Sequence, residues 1–243
     1  MKYESIENAA KLFELQWDTE FFGVTCAKAV LYKPLTQAQW DTIKKRFTEY
    51  QFVSIENRNS EPINAQFIGS DTTAFLIDIN IQFQKKLESA CDIPDSVQIH
   101  QALERDEKIL EIAEFPFSKF VEDSELNKRG GEDVYKQWLI NSFGKRDKFY
   151  AVAKDNDGVI EGFLLHAYSD KVCTIELIAV ARSEVRGGIG SRLFKTIEYE
   201  AYKRGCDEIR VGTQVRNIRA INFYHKIGCK QVGCHQTYHL WNL

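Results

Sequence analysis

The chain has 243 residues, 44% hydrophobic and 28% charged, with a formal net charge of −3. That length allows one large domain or two small ones, and the composition is that of a soluble globular chain. No apolar run approaches the roughly 20 residues of a membrane helix, MKYESIENAAKLFEL has acids and no apolar core of a signal peptide, and the slight negative charge argues against a nucleic-acid partner.

From Met1 to about residue 98 the chain reads as a separate N-terminal α/β unit. Leu12–Gln16 and Thr25–Leu31 are strand-like and flank the aromatic run Trp17-Asp18-Thr19-Glu20-Phe21-Phe22-Gly23. A helix is predicted from Thr36 to Tyr50, with Thr36 as N-cap and Trp40, Ile43 and Phe47 on one face. Phe52–Glu56 and Thr72–Gln84 are predicted strands, the second alternating as FLIDINIQF. The second unit, residues 99–243, opens with a predicted helix from about Gln101 to Glu114. Next come the segment Ser118-Lys119-Phe120-x-x-Asp123 and a helical run with Tyr135, Trp138 and Leu139. A hairpin joins Phe149–Ala153 to Ile160–Tyr168 around Asn156-Asp157-Gly158. The last predicted strands are Glu208–Thr213 and His235–Trp241. Cys26, Cys91, Cys173, Cys206, Cys229 and Cys234 are scattered without a C-x-x-C pair. That pattern reads as free thiols of a reducing cytoplasm, with no metal site and no disulfide.

The most informative stretch is Lys171–Lys203. Val172–Val180 reads as a buried strand, Arg186–Ser191 (RGGIGS) as a glycine-dense turn, and Leu193, Ile197 and Ala201 recur at helical spacing. A strand feeding a glycine loop that opens a helix makes an anion site, because the first helical turn has free N–H groups and the positive end of the dipole. The spacing fits neither the P-loop nor the dinucleotide fingerprint.

Val185-Arg186-Gly187-Gly188-Ile189-Gly190 resembles the acyl-CoA loop of the GNAT superfamily of N-acyltransferases, with Val185 replacing the usual Gln or Arg. A second block, NIRAINFYHKIGC, is similar to that superfamily's C-terminal motif at Asn217, Ala220, Phe223, Tyr224, Lys226 and Gly228. The resemblance implies a GNAT fold, a mixed and mostly antiparallel sheet flanked by helices, preceded here by the smaller N-terminal unit. It implies acetyl-CoA as acyl donor. The backbone of Ile178, Ala179 and Val180 would meet the pantetheine arm, and the amides of Arg186, Gly187, Gly188, Ile189, Gly190 and Ser191 the pyrophosphate. Asn217 would orient CoA, and Tyr224 would be the acid that protonates the leaving thiolate. The base is left open between Glu176 and water. WDTEFFG, SKF-x-x-D and Tyr135–Ser142 (YKQWLINS) further resemble one branch of the superfamily, the bacterial dTDP-4-amino-4,6-dideoxygalactose acetyltransferases. That resemblance implies a nucleotide-linked aminodeoxysugar as acceptor, with the N-terminal unit helping to form its site. Acetylation of a protein N-terminus or another small amine, and a non-catalytic acyl-CoA-binding module, are the alternatives. The oligomeric state is left open, a homodimer included.

Overall fold

The computed structural model describes residues 6–88, 97–181 and 188–243. The first half contains α1 (Ile6–Ala9), β1 (Ala10–Glu14), α2 (Gln16–Phe22), β2 (Cys26–Leu31), α3 (Gln37–Phe47), β3 (Phe52–Asn57), α4 (Pro62–Asp71) and β4 (Phe75–Lys86). Then come β5 (Val97–Gln101), α5 (Glu107–Ile112), α6 (Lys119–Glu122), α7 (Ser124–Lys128) and α8 (Val134–Ser142). The last part contains β6 (Phe149–Lys154), β7 (Ile160–Ser169), β8 (Val172–Val180), α9 (Ile189–Lys203), β9 (Glu208–Gln214), α10 (Ile218–Lys226) and β10 (Lys230–Trp241).

Among the described residues, ten strands form one sheet in the order β1-β2-β3-β10-β4-β9-β8-β7-β6-β5. The pairs β2–β3 and β8–β9 are parallel and the other neighbours antiparallel. The two units expected from the sequence therefore share a sheet. Strand β4, from the first half, lies between β9 and β10 of the second, and β10 in turn pairs with β3.

The physical reason is the two-sided character of β4. Ile81 and Phe83 are buried in the core beneath α9 and α10, together with Leu193, Phe194, Ile197 and Tyr224. A second core surrounds Trp40, Ile43 and Phe47 of α3 and takes Tyr238 and Leu240 from β10. Each half thus supplies apolar residues to the other's core, and both would expose them if separated. Phe22, Cys26, Phe52, Leu126 and Val134 form a smaller cluster at the junction, with Phe120 and Trp241 packed against it.

The α3 prediction holds in detail: Thr36 accepts from Gln39 N in a reciprocal capping box, and Trp40, Ile43 and Phe47 are buried. Other expectations change. The aromatic run WDTEFFG forms the helix α2, which takes Gln16 from the expected strand and is stopped by Gly23 at φ +68° with its N–H bonded to Thr19 O. The expected helix over 101–114 shrinks to α5, because Val97–Gln101 joins β6 as the edge strand β5, Ala102 takes φ +50°, and Asp106 caps the helix at Lys108 N. Helix α4, with Pro62 in its first turn, was not foreseen.

Candidate active site

Strands β8 and β9 pair only from Val172 to Thr174 against Glu208 to Arg210. Beyond that point they part. The outer edge of Ile175–Val180 meets no strand among the described residues, while its inner edge stays bonded to β7. The split opens a cavity of about 360 Å³, bordered by Ile178 on one side and by Val211 and Thr213 on the other. Unpaired strand amides beside a cleft offer an extended ligand the hydrogen bonds of an added strand.

A β-bulge lies at the mouth of the split. Leu165 pairs with Leu177 and His166 with Ile175, so Glu176 is the extra residue on β8. Glu176 is one of the residues that line the cavity. Oε1 is ion-paired to Lys148, and Oε2 is buried without a hydrogen-bond partner among the described residues. The direction of Glu176 could not be read from the sequence, because it depends on this bulge.

Helix α9 begins at Gly188, which takes φ +76°, a conformation that favours glycine. The first intrahelical bond is Arg192 N to Gly188 O, so the amides of Ile189, Gly190 and Ser191 have no intrahelical acceptor. Gly162 on β7 lets this turn sit close to the sheet: a Cβ there would lie 3.0 Å from Ala179 O and 3.1 Å from Ile189 Cγ2. A Cβ at Gly190 would lie 3.4 Å from the ring of Phe223 on α10. The glycine turn therefore abuts the helix that carries Tyr224. Arg186 and Gly187 lie outside the described residues.

Asn217 is the N-cap of α10: its Oδ1 accepts from Ala220 N at 3.1 Å. That leaves its Nδ2 hydrogens as the donors toward the cavity, which it lines. Tyr224, about two helical turns later, also lines the cavity although it is 3% exposed. Its ring packs on Phe83 at 5.3 Å and on Phe223 at 5.3 Å. Burial raises its phenol pKa, so it is held as a protonated donor. Ile178, Asn217 and Tyr224 thus meet at one cavity. Ala179 is instead packed in the core under α5, and Val180 is half-buried against the α9 core.

The far half of the cavity was not anticipated residue by residue. Its floor is built from cross-strand rows. Glu56, Thr237 and Asp78 are in register across β3, β10 and β4, and His235, Asn80 and Gln214 across β10, β4 and β9. Asp78, Asn80 and Gln82 are the polar members of the FLIDINIQF alternation, which alone would pass for a solvated face. Gly212 leaves room for them: a Cβ there would come within 2.5 Å of Asn80 Oδ1 and 2.9 Å of Gln82 Nε2. The wall is aromatic, with Phe115, Phe120, Tyr135 and Trp138. The three short motifs of the sequence meet here. Phe22 of WDTEFFG packs on Phe120 of SKF-x-x-D at 6.3 Å, and Phe120 packs edge-on to Tyr135 of YKQWLINS at 5.9 Å. No helix among the described residues is long and apolar enough to cross a membrane.

Comparison with known proteins agrees with this geometry. The spore coat polysaccharide biosynthesis protein SpsD of Bacillus subtilis (strain 168) is 28% identical over 137 residues, 56% of this chain and 47% of that protein. The match thus spans about half the length of that curated relative. A GCN5-related N-acetyltransferase from Sphaerobacter thermophilus shares the fold with a TM-score of 0.63 at 14% identity, covering 96% of this chain and 76% of that one. One from Kribbella flavida gives 0.57 at 13%, covering 88% and 81%. The model of the acetyltransferase (GNAT) family matches residues 107–229, and with the split strands, the glycine-opened helix and the buried tyrosine all inside that span, the chain belongs to the GNAT family of acetyltransferases.

Proposed function

We propose that this acetyltransferase moves an acetyl group from acetyl-CoA to the primary amine of a nucleotide-linked aminodeoxysugar. The observation that carries the reading is continuity. The split between β8 and β9 runs without a break into a polar, aromatic-walled chamber floored by β3 and β4, so a donor and a small acceptor can meet between Glu176 and Tyr224. The choice of acceptor is supported by the WDTEFFG, SKF-x-x-D and YKQWLINS segments and by a relative named for polysaccharide biosynthesis. Free cysteines in apolar surroundings suit a reducing cytoplasm.

In the proposed mechanism, the pantetheine arm adds to the free edge of β8 through Ile178 and Val180. The pyrophosphate rests on the amides that open α9, from Gly188 to Ser191, together with Arg186 and Gly187. Asn217 Nδ2 donates to the arm. The acceptor arrives as an ammonium. The unpartnered Oε2 of Glu176 takes its proton, directly or through one water, and Lys148 keeps the carboxylate in place. The neutral amine attacks the thioester carbon, the C–N bond forms, and the C–S bond breaks. The departing sulfur receives the proton of Tyr224 Oη, and the second proton that the nitrogen sheds as it becomes an amide passes through water to restore that hydroxyl. Proximity supplies most of the acceleration, because both reactants are confined in one cleft.

The test is thiol release from acetyl-CoA across a panel of amines. A nucleotide-linked 4-amino-4,6-dideoxysugar is expected to give the highest kcat/KM. Faster turnover of peptide N-termini would replace the sugar reading, and tight CoA binding with no thiol release on any amine would replace catalysis with a binding role.

A further inference from the structure

Five side chains that line the cavity are ionisable in the neutral range or permanently charged: Glu56, Asp78, Lys119, Glu176 and His235. Three are already engaged. Glu56 holds Lys28 at 2.6 Å and Arg58 at 2.9 Å. Glu176 holds Lys148. His235 Nδ1 accepts from Asn59 N at 3.1 Å. Lys119 and Asp78 remain, and neither forms a salt bridge with any described residue, although they influence each other's titration. Both are half-buried in the cavity wall, where desolvation pulls the lysine's pKa down and pushes the carboxyl's up, so each charge carries a desolvation penalty. That penalty is relieved when a ligand supplies both counter-groups.

Two features support a ligand at these positions. Lys119 is held in place by its own motif: Asp123, four residues on, is fixed by His239 and Trp241 and caps α7 through Glu125 N and Leu126 N. Gly131 permits the chain to pass so close to the Phe120 carbonyl that no Cβ would fit. Beside Lys119 stands a stacking surface. Trp138 is 40% exposed and stacks on Tyr135 at 6.2 Å and 12°, and Phe115 packs against Tyr135 at 4.8 Å. A flat ring next to an anion is the chemistry of a nucleoside phosphate.

We propose that Lys119 anchors the phosphate of the acceptor, that the Trp138–Tyr135 surface stacks its base, and that Asp78 accepts from the hydroxyl or ammonium donors of its sugar. This rests on the acetyl-transfer reading and names the residues that would select its acceptor. Lys119 raises affinity for acceptors that carry phosphate and does nothing for those that lack it.

The test uses the full chain saturated with CoA, so that the donor site is closed to phosphate, and thymidine diphosphate as probe. On wild type the diphosphate is expected to bind at least tenfold more tightly than thymidine, and equal binding would overturn the proposal without any variant. Lys119→Gln is expected to remove that preference, with CoA affinity unchanged as the control for folding. Lys119→Arg should restore most of it. In turnover, Lys119→Gln should raise KM for the nucleotide-linked amine tenfold or more and leave kcat/KM for glucosamine within a few-fold. Unchanged KM for the nucleotide-linked amine in a variant that still binds CoA would sink the proposal. Failure of wild type to bind CoA or release thiol would sink the acetyl-transfer reading instead.

Discussion

His239 donates from Nδ1 to Asp123 Oδ2 at 2.6 Å, inside the protein, and Trp241 Nε1 donates to the same oxygen at 3.0 Å. This contact ties β10 to the short helices α6 and α7 that carry Lys119. Burial alone would raise the Asp123 pKa, but these two donors and the Leu126 amide hold it below the ordinary value. Asp123→Ala leaves His239 and Trp241 without their acceptor and should destabilise the fold by about 3–5 kcal/mol. Asp123→Asn keeps an acceptor oxygen and should lose about 1–2 kcal/mol. Urea melts of both variants check the order.

Tyr224→Phe should fold normally, since the ring contacts with Phe83 and Phe223 survive. If the hydroxyl protonates the leaving sulfur, kcat falls by about 10²–10⁴ while KM for acetyl-CoA stays within a few-fold. A thioester with a more acidic thiol should recover part of the loss. Wild-type rates on both donors would remove Tyr224 from the acid role.

Gly190→Asp should abolish acetyl-CoA binding, because it places a carboxylate among the amides proposed to hold the pyrophosphate and against the Phe223 ring. Gly188→Ala separates strain from charge. Among the described residues no atom lies within 4 Å of a Cβ there, but the φ of +76° disfavours one, so a stability loss of about 1 kcal/mol is expected, with CoA binding retained. Calorimetry on both variants distinguishes the two effects.

His166 is fully buried on β7, with no well-formed hydrogen bond to Nδ1 among the described residues and Nε2 against Tyr168 Oη at 3.1 Å. Burial lowers its pKa to about 3. Its folded pKa lies below the unfolded value near 6.5, so the unfolded chain binds the proton first. The stability it contributes is present above pH 6.5 and is lost as pH falls from there toward 3, at up to about 1.4 kcal/mol per pH unit. His239 is also lowered by burial and acts in the same direction. Denaturant melts between pH 7.5 and 5 should show the decline, and His166→Gln should flatten it.

A chain starting near residue 100 should not give a functional domain. It lacks β4, so β9 and β10 would face each other across an empty strand position with Ile209, Val211 and Leu240 uncovered. Circular dichroism and CoA titration of that fragment test this, and a folded fragment that binds CoA at wild-type affinity would contradict it.

Much of the half of the cavity proposed for the donor was legible in the sequence because it is local. Strand and helix follow one another between Val172 and Lys203, and α10 presents Asn217 and Tyr224 within one motif. The half proposed for the acceptor was not, because it arises between distant segments. Asp78 and Glu56 become neighbours only through Thr237 on β10. The alternation of FLIDINIQF told which residues share a face, but not that the polar face floors a cleft. Lys119 gave no local sign that it would line a cleft. The bulge at Glu176 follows from pairing with β7, which no single strand announces.

The insertion of β4 and the docking of β10 between β3 and β4 also govern how the molecule assembles. Asn57 and Gln236 hydrogen-bond across 179 positions of sequence, so contacts that close the sheet are among the most remote the chain makes. Such closures are slow, because the intervening loop loses its entropy before the pairing rewards it. Until β10 arrives, the edges of β3 and β4 are open to strands of other molecules. The same geometry makes the protein a natural candidate for splitting: a fragment ending near residue 88 and one starting near residue 97 each hold half of an unfinished sheet, and mixing them would reconstitute acetyl transfer only through that shared seam.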